Sequence, residues 1–282
     1  MSDQGETAPD NTVPESETVE FIEVAPVKRR RRRWPIVLAA VVVVLVALVV
    51  VADFAARGFA EKLIAEKARS ALNVSESTPL DVKVGGGPVL LQLAGGKLDD
   101  VRIDAPGLSV GDLSGDAVLT VHGVPLDQSK PLDTADLRFS TDQKGLTSLI
   151  SGLTKSQDLP VTISAVTIEK GSVQLATEVP VFGAKIPAAI AVAPGAKGGE
   201  LTLTPTSFSI SGATFSPADV SKNLGALGTE LAQTRTICVA NQLPKGFRLE
   251  SLRVSGNDLI LGVTARSVIL GSELFHSKGS CP

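Results

Sequence analysis

Five consecutive arginines, Arg29–Arg33, follow Lys28 and lead through Trp34 and Pro35 into an unbroken apolar stretch, Ile36–Ala52. A helix over that stretch covers about 25 Å, the short end of what the hydrocarbon core of a bilayer requires. Trp34 and Phe54 stand where interfacial aromatics belong. In hydrocarbon every unpaired backbone group costs several kcal/mol, and a helix pairs them all within the segment. The run therefore reads as a membrane-spanning helix. Its basic flank puts the N terminus in the cytoplasm and everything after Asp53 outside. Residues 1–33 are expected to be a disordered cytoplasmic tail with a basic end, residues 34–52 a transmembrane helix or uncleaved signal anchor, and residues 53–282 an extracytoplasmic domain. Small residues at Ala52, Ala55 and Ala56 leave cleavage open. The long N-terminal region and the length of the apolar run favour retention.

The arginine run does not make this a nucleic-acid binder. Net charge is −3, only 4% of residues are aromatic, and there is no tyrosine. A basic footprint and stacking platforms are both missing. Two cysteines, Cys238 and Cys281, and two histidines, His122 and His276, are too few for a zinc or iron–sulfur site. Outside the cytoplasm the cysteines read as one disulfide tying the tail to the preceding helix; two unrelated thiols are the alternative.

Beyond the span the pattern changes twice. Over residues 53–72, Phe59, Leu63, Ile64, Ala68, Ala71 and Leu72 recur at helical spacing, and the pattern ends near Asn73. From Leu80 the period becomes two: Val82/Val84, Val101/Ile103, Leu119/Val121, Val161/Ile163, Val166/Ile168, Val173/Leu175, Leu201/Leu203, Phe208/Ile210, Leu252/Val254 and Leu259/Leu261/Val263. Turn signals punctuate these strands at Gly85–Pro88, Gly95-Gly96, Ala105-Pro106-Gly107, Pro194-Gly195, Gly198-Gly199 and Gly256-Asn257-Asp258. Two further helices are expected, over residues 143–154 and over 217–234, where Ser216 caps and Pro217 takes the first position. The fold class is α+β: a transmembrane helix, then a β-rich domain with a long curved antiparallel sheet and a few helices.

No nucleophile elbow, Walker loop, dinucleotide fingerprint or zinc-protease helix is present, so no catalytic residue is nominated and no cofactor or metal is expected. Gly85-Gly86-Gly87 is followed by Pro88, as in a tight turn, and Asp99, Asp100, Asp104, Asp112 and Asp116 lack calcium-loop spacing. What remains is a large apolar strand surface with few bulky aromatics to fill it. Such a sheet can curl around a cavity that takes lipid. A plainly packed core satisfies the same periodicity.

Residues 86–107, GGPVLLQLAGGKLDDVRIDAPG, resemble the opening signature of the LmeA-like phospholipid-binding family of actinobacterial envelope proteins, with Val89 where an aromatic residue is usual. Residues 243–263, LPKGFRLESLRVSGNDLILGV, resemble its closing element. The resemblance implies a tubular lipid-binding fold, with the membrane, phospholipid and envelope-biosynthesis proteins as partners. Some members of that family are tied to lipoglycan assembly. Acyl chains would meet Leu90, Leu91, Leu93, Val101, Ile103, Phe208, Ile210, Phe247 and Leu249, and a headgroup Lys97 or Arg102. A ligand-free accessory module of a membrane enzyme complex is the alternative.

Overall fold

The structure is a computed structural model that describes residues 34–72, 74–76, 78–110, 112–156, 163–169, 171–181, 184–269 and 277–280. Arg29–Arg33, Val161, His276 and Cys281 lie outside the described residues. The chain divides into two units, residues 1–46 and 47–282. The first is described only through the opening of α1 (Trp34–Leu72). That helix contains a segment long and apolar enough to cross a membrane.

The second unit is built on two antiparallel sheets. In chain order the strands are β1 (Asp81–Gly85), β2 (Lys97–Val110), β3 (Leu113–Pro125), β4 (Thr134–Asp142), β5 (Ile163–Glu169) and β6 (Ser172–Val181). They continue with β7 (Ala184–Lys197), β8 (Glu200–Ile210), β9 (Ala213–Phe215), β10 (Arg235–Ile237), β11 (Phe247–Ser255) and β12 (Asp258–Arg266). The first sheet runs β1-β2-β3-β4-β12-β11 and the second β10-β8-β7-β6-β5, with β9 paired to β8. Helix α2 (Val89–Ala94) links β1 to β2, α3 (Gln143–Ser156) links β4 to β5, and α4 (Pro217–Ala232) lies between β9 and β10.

Every alternating pair within the described residues lies on a strand. Two turn signals do not mark turns. Ala105-Pro106-Gly107 lies inside β2, where the pairing slips between Ala105 and Leu108 and Gly107 takes φ +63°. The extra residue is absorbed as a bulge, the usual place for proline and glycine within a strand. Pro194-Gly195 lies inside β7, paired with Leu203 and Thr202. The helix expected over 53–72 is the C-terminal part of α1, but a different face of it is docked. Small Ala56, Ala60 and Ala65 with Ile64 pack on β1 and β2, whereas Phe59 is 71% exposed and Leu63 46%. Small side chains let the helix approach the sheet closely.

That docking also protects the free edge of β1. Arg57 Nη1 donates to the Val84 carbonyl (2.7 Å), and the Val84 N–H donates to Glu61 Oε1 (3.0 Å). An edge strand that would otherwise offer unpaired backbone is thus covered by helix side chains. Asp53 Oδ1 accepts from the Leu90 N–H (2.9 Å) and holds the start of α2.

Buried Gln92 closes the same corner. Its Nε2 donates to the carbonyls of Gly85 (3.0 Å) and Gly87 (2.8 Å), and its Oε1 accepts from the Asp99 N–H (2.9 Å). One side chain satisfies three backbone groups that have little other access to a partner. Gln92→Leu should therefore cost about 1–3 kcal/mol, the penalty for buried polar groups left unpaired. Leu91→Gln, one residue away and 70% exposed, should leave stability unchanged. Urea midpoints of the two full-length variants in detergent check both.

Helix α4 begins with a capping box: the Asp219 N–H donates to Ser216 Oγ (3.2 Å), and the Ser216 N–H donates to Asp219 Oδ2 (3.1 Å). The Ser216 hydroxyl and N–H together lower the Asp219 carboxyl below its usual range. A carboxyl lowered on folding contributes stability above its unfolded pKa and loses it as pH falls through the folded value. The first turn of α4 should therefore loosen below about pH 4, seen as shifts of the Ser216 and Asp219 amide resonances. Asp219→Asn should abolish that acid transition.

Candidate lipid-binding face

Alternation along each strand becomes, across the first sheet, one continuous apolar face. The register aligns Val84, Val101, Val121, Ala135, Ala265 and Phe247 in one row. The next row aligns Val82, Ile103, Leu119, Leu137, Val263 and Leu249. A third aligns Ala105, Ala117, Phe139, Leu261 and Leu252. The opposite face carries Lys83, Arg102, Thr120, Asp136, Thr264 and Arg248 in the alternate positions.

Burial along these rows is uneven. The first row is buried except at Phe247, which is half-buried, and Ala105, Ala117 and Phe139 of the third row are buried. Between them Ile103, Leu119 and Leu137, three large aliphatic side chains at the centre of the sheet, are only half-buried. Helix α1 covers the β1–β2 side, and Val74 and Leu80 pack near Phe139. Helix α3 packs with its Leu146 and Ile150 among Val166, Ile168, Val173 and Val192 of the second sheet and Val254 and Leu259 of the first. Val82, Val263 and Leu249 of the central row are buried, so the residual access is confined to an apolar strip of Ile103, Leu119 and Leu137.

The second sheet repeats the arrangement. Val166, Leu175, Ile190, Phe208 and Phe215 align across it, with Leu175, Ile190 and Phe208 half-buried. Ile210 is 52% exposed. On α4, which is kinked at Gly225 (φ +59°), Leu224 is exposed before the kink and Leu227 and Leu231 are exposed one turn apart after it.

The nine nominated lipid-contact residues therefore do not form one cluster. Val101, Ile103, Phe247 and Leu249 share the apolar face of the first sheet, and Leu93 packs against its β1–β2 end. Phe208 and Ile210 stand on the second sheet. Leu90 and Leu91 are exposed on α2. Sequence parity could place each residue on a face of its own strand but could not say which strands share a sheet. It also passed over Leu119, Leu137 and Val263, which complete the central row; only the inter-strand register brings them beside Ile103.

The two cations nominated for a headgroup are occupied. Lys97 Nζ is 2.7 Å from Asp133 Oδ2, and the Arg102 guanidinium donates twice to Asp104 (2.8 and 2.6 Å), on the polar face. His122 pairs with Asp100 across β2 and β3 on that same face. Among the described residues no group of three or more His, Cys, Asp or Glu is placed to hold a metal. The chemistry on offer is apolar contact.

No curated protein and no solved structure matches this chain. A family match does cover most of it, from residue 51 in α1 to residue 264 in β12, and so takes in both sheets, the Gln92 corner and the apolar strip. The chain belongs to the LmeA-like phospholipid-binding family.

Proposed function

We propose that this chain is a membrane-anchored, extracytoplasmic phospholipid-binding or lipid-transfer protein that supports assembly of envelope lipid or lipoglycan, alongside envelope-biosynthesis proteins. Family membership supports lipid binding, and the apolar segment of α1 supports anchoring. The basic flank Lys28–Arg33 supports a cytoplasmic N terminus. The observation that carries the reading is that Ile103, Leu119 and Leu137 stay half-buried at the middle of the sheet, with Val101 and Val121 on one side and Ala105, Ala117 and Phe139 on the other buried. A packed core buries its central side chains most completely, whereas a groove for acyl chains leaves them accessible until the ligand arrives. On this reading Ile103 and Phe247 contact acyl chain, with Phe208 on the second sheet, and the buried Val101 and Leu249 form the floor behind them. The rival role, an accessory module docking through a free sheet edge, is disfavoured at β1 by its contacts with Arg57 and Glu61.

The test is to express residues 53–282 in an export-competent host, purify without detergent, and analyse an organic extract by mass spectrometry. Phospholipid should be recovered in stoichiometric amount. It should be lost from Ile103→Asp, and also from Leu137→Trp, which fills the strip without charging it; circular dichroism checks that both remain folded. A folded protein that carries no lipid and takes none from vesicles overturns the proposal in favour of the accessory module.

The Cys238–Cys281 disulfide belongs to the same proposal. Cys238 is not a free thiol. The tail is tied nearby: the Lys245 N–H donates to the Ser277 carbonyl (2.8 Å) and the Gly279 N–H to the Leu243 carbonyl (3.0 Å). Gly279 lies so close to Ala240 that a Cβ there would stand 2.8 Å from the Ala240 oxygen. A single residue therefore separates each cysteine in sequence from a point of contact. Native protein should resist thiol reagents until reduced, and Cys238→Ser should lower stability by about 4 kcal/mol on loop entropy alone. Ready labelling of unreduced protein would contradict the pairing.

A further inference from the structure

One cleft sets the half-buried Phe247 beside three cations and a single carboxylate. It lies between the β7–β8 turn at Gly198-Gly199, the entry to β11 at Lys245–Arg248, and the tail at 277–280, with a volume of about 760 Å³. Lys245, Arg248 and Lys278 line it against one carboxylate, Glu200. Lys83, Lys97, Arg102, Lys185 and Arg235 each face a carboxylate within salt-bridge distance, whereas Arg138 and Arg253 face none among the described residues. The three cations of the cleft have no such partner among the described residues. Desolvating an anion against unneutralised cations is far more favourable than against cations already paired.

Two further features narrow the ligand. Gly198, Gly199 and Gly246 line the cleft at φ +65°, +89° and +98°, so the wall there is backbone without side chains, a surface to which a tetrahedral oxyanion can come close. Phe247 lines the cleft and also packs with Val121, Ala135 and Ala265 of the apolar face. The cationic rim and the hydrocarbon face therefore meet at one side chain. A ligand that satisfies both carries a phosphate next to acyl chain.

We infer that this cleft binds a phosphate ester, the headgroup phosphate of the phospholipid whose acyl chains lie on the apolar face beyond Phe247. The inference rests on the lipid-binding reading and adds to it where the head lies and which residues select it. By contrast, the pocket lined by Arg102, Arg138 and Arg253 sets them against two carboxylates, Asp136 and Glu250, and so keeps one surplus positive charge where the cleft keeps two.

The test uses the full-length chain in maltoside micelles, which contain no phosphate. Dioctanoyl phosphatidic acid, dioctanoylglycerol and glycerol 3-phosphate are titrated into wild type, Lys245→Gln/Lys278→Gln and Lys245→Glu/Lys278→Glu. Both lysines are exposed, and circular dichroism confirms the fold of each variant. Wild type should prefer phosphatidic acid to dioctanoylglycerol by roughly tenfold or more. Neutralisation should shrink that preference and reversal abolish it, with dioctanoylglycerol affinity unchanged. Lysine-dependent binding of glycerol 3-phosphate would also support the site and identify soluble phosphate esters as a source. A wild type with no preference, or a preference that survives charge reversal, overturns the phosphate site. The lipid reading then still stands if dioctanoylglycerol binds. Failure of both lipids to bind sinks the two together.

Discussion

The constraint on which the architecture depends is that strand side chains alternate strictly, so a single extra residue turns every later side chain to the wrong face. Several apolar residues in this chain are spaced by three rather than two: Ile163 and Val166, Ala105 and Leu108, Pro205 and Phe208, Leu249 and Leu252. An unbroken strand would put one member of each pair in water. At each of these places the register slips, on β5, β2, β8 and β11 respectively. Each bulge absorbs the surplus residue and returns the following apolar side chain to the same face. The continuous rows across both sheets exist because of those bulges.

The bulges also explain which parts of the fold were legible. Where alternation was clean, as at Val101/Ile103 or Leu259/Leu261/Val263, the sequence identified the strand. Where a bulge broke it, Pro106-Gly107 imitated a turn, since a bulge and a turn call for the same residues. Strand β7 was hidden for another reason. Its stretch AKIPAAIAVAPGAK is rich in alanine and proline, both depleted in strands, and it is a strand because β6 and β8 pair it on both sides. Helix α2 is six residues long, too short to show a period, and is held from outside by Asp53 and from within by Gln92.

Of the candidate site, the sequence supplied the residue types and the parity but not the neighbourhood. Ile103 and Leu249 lie in one row only because β1, β2, β3, β4, β12 and β11 are ordered as they are, and β11 comes from the far end of the chain. The electrostatics were partly hidden. Lys97 is paired to Asp133, which the fold brings beside it, whereas Arg102 pairs with Asp104, two residues along the same face of β2. Sequence proximity to an apolar run says little about which cation keeps its charge available.

The composition of the apolar face bears on why a ligand suits it. Its three rows are mainly Val, Ala, Leu and Ile, and Phe139 and Phe247 are their only aromatics. Aliphatic side chains of this size cover a sheet without reaching far above it. Covering the accessible part of Ile103, Leu119 and Leu137 is worth about 25 cal/mol per Å² of apolar surface removed from water. Helix α1 contributes Ala56, Ala60, Ala65 and Ile64 to its contact with β1 and β2. On the proposed reading, a hydrocarbon chain over Ile103, Leu119 and Leu137 would couple stability to occupancy, because a ligand that binds only the folded state adds its binding free energy to folding.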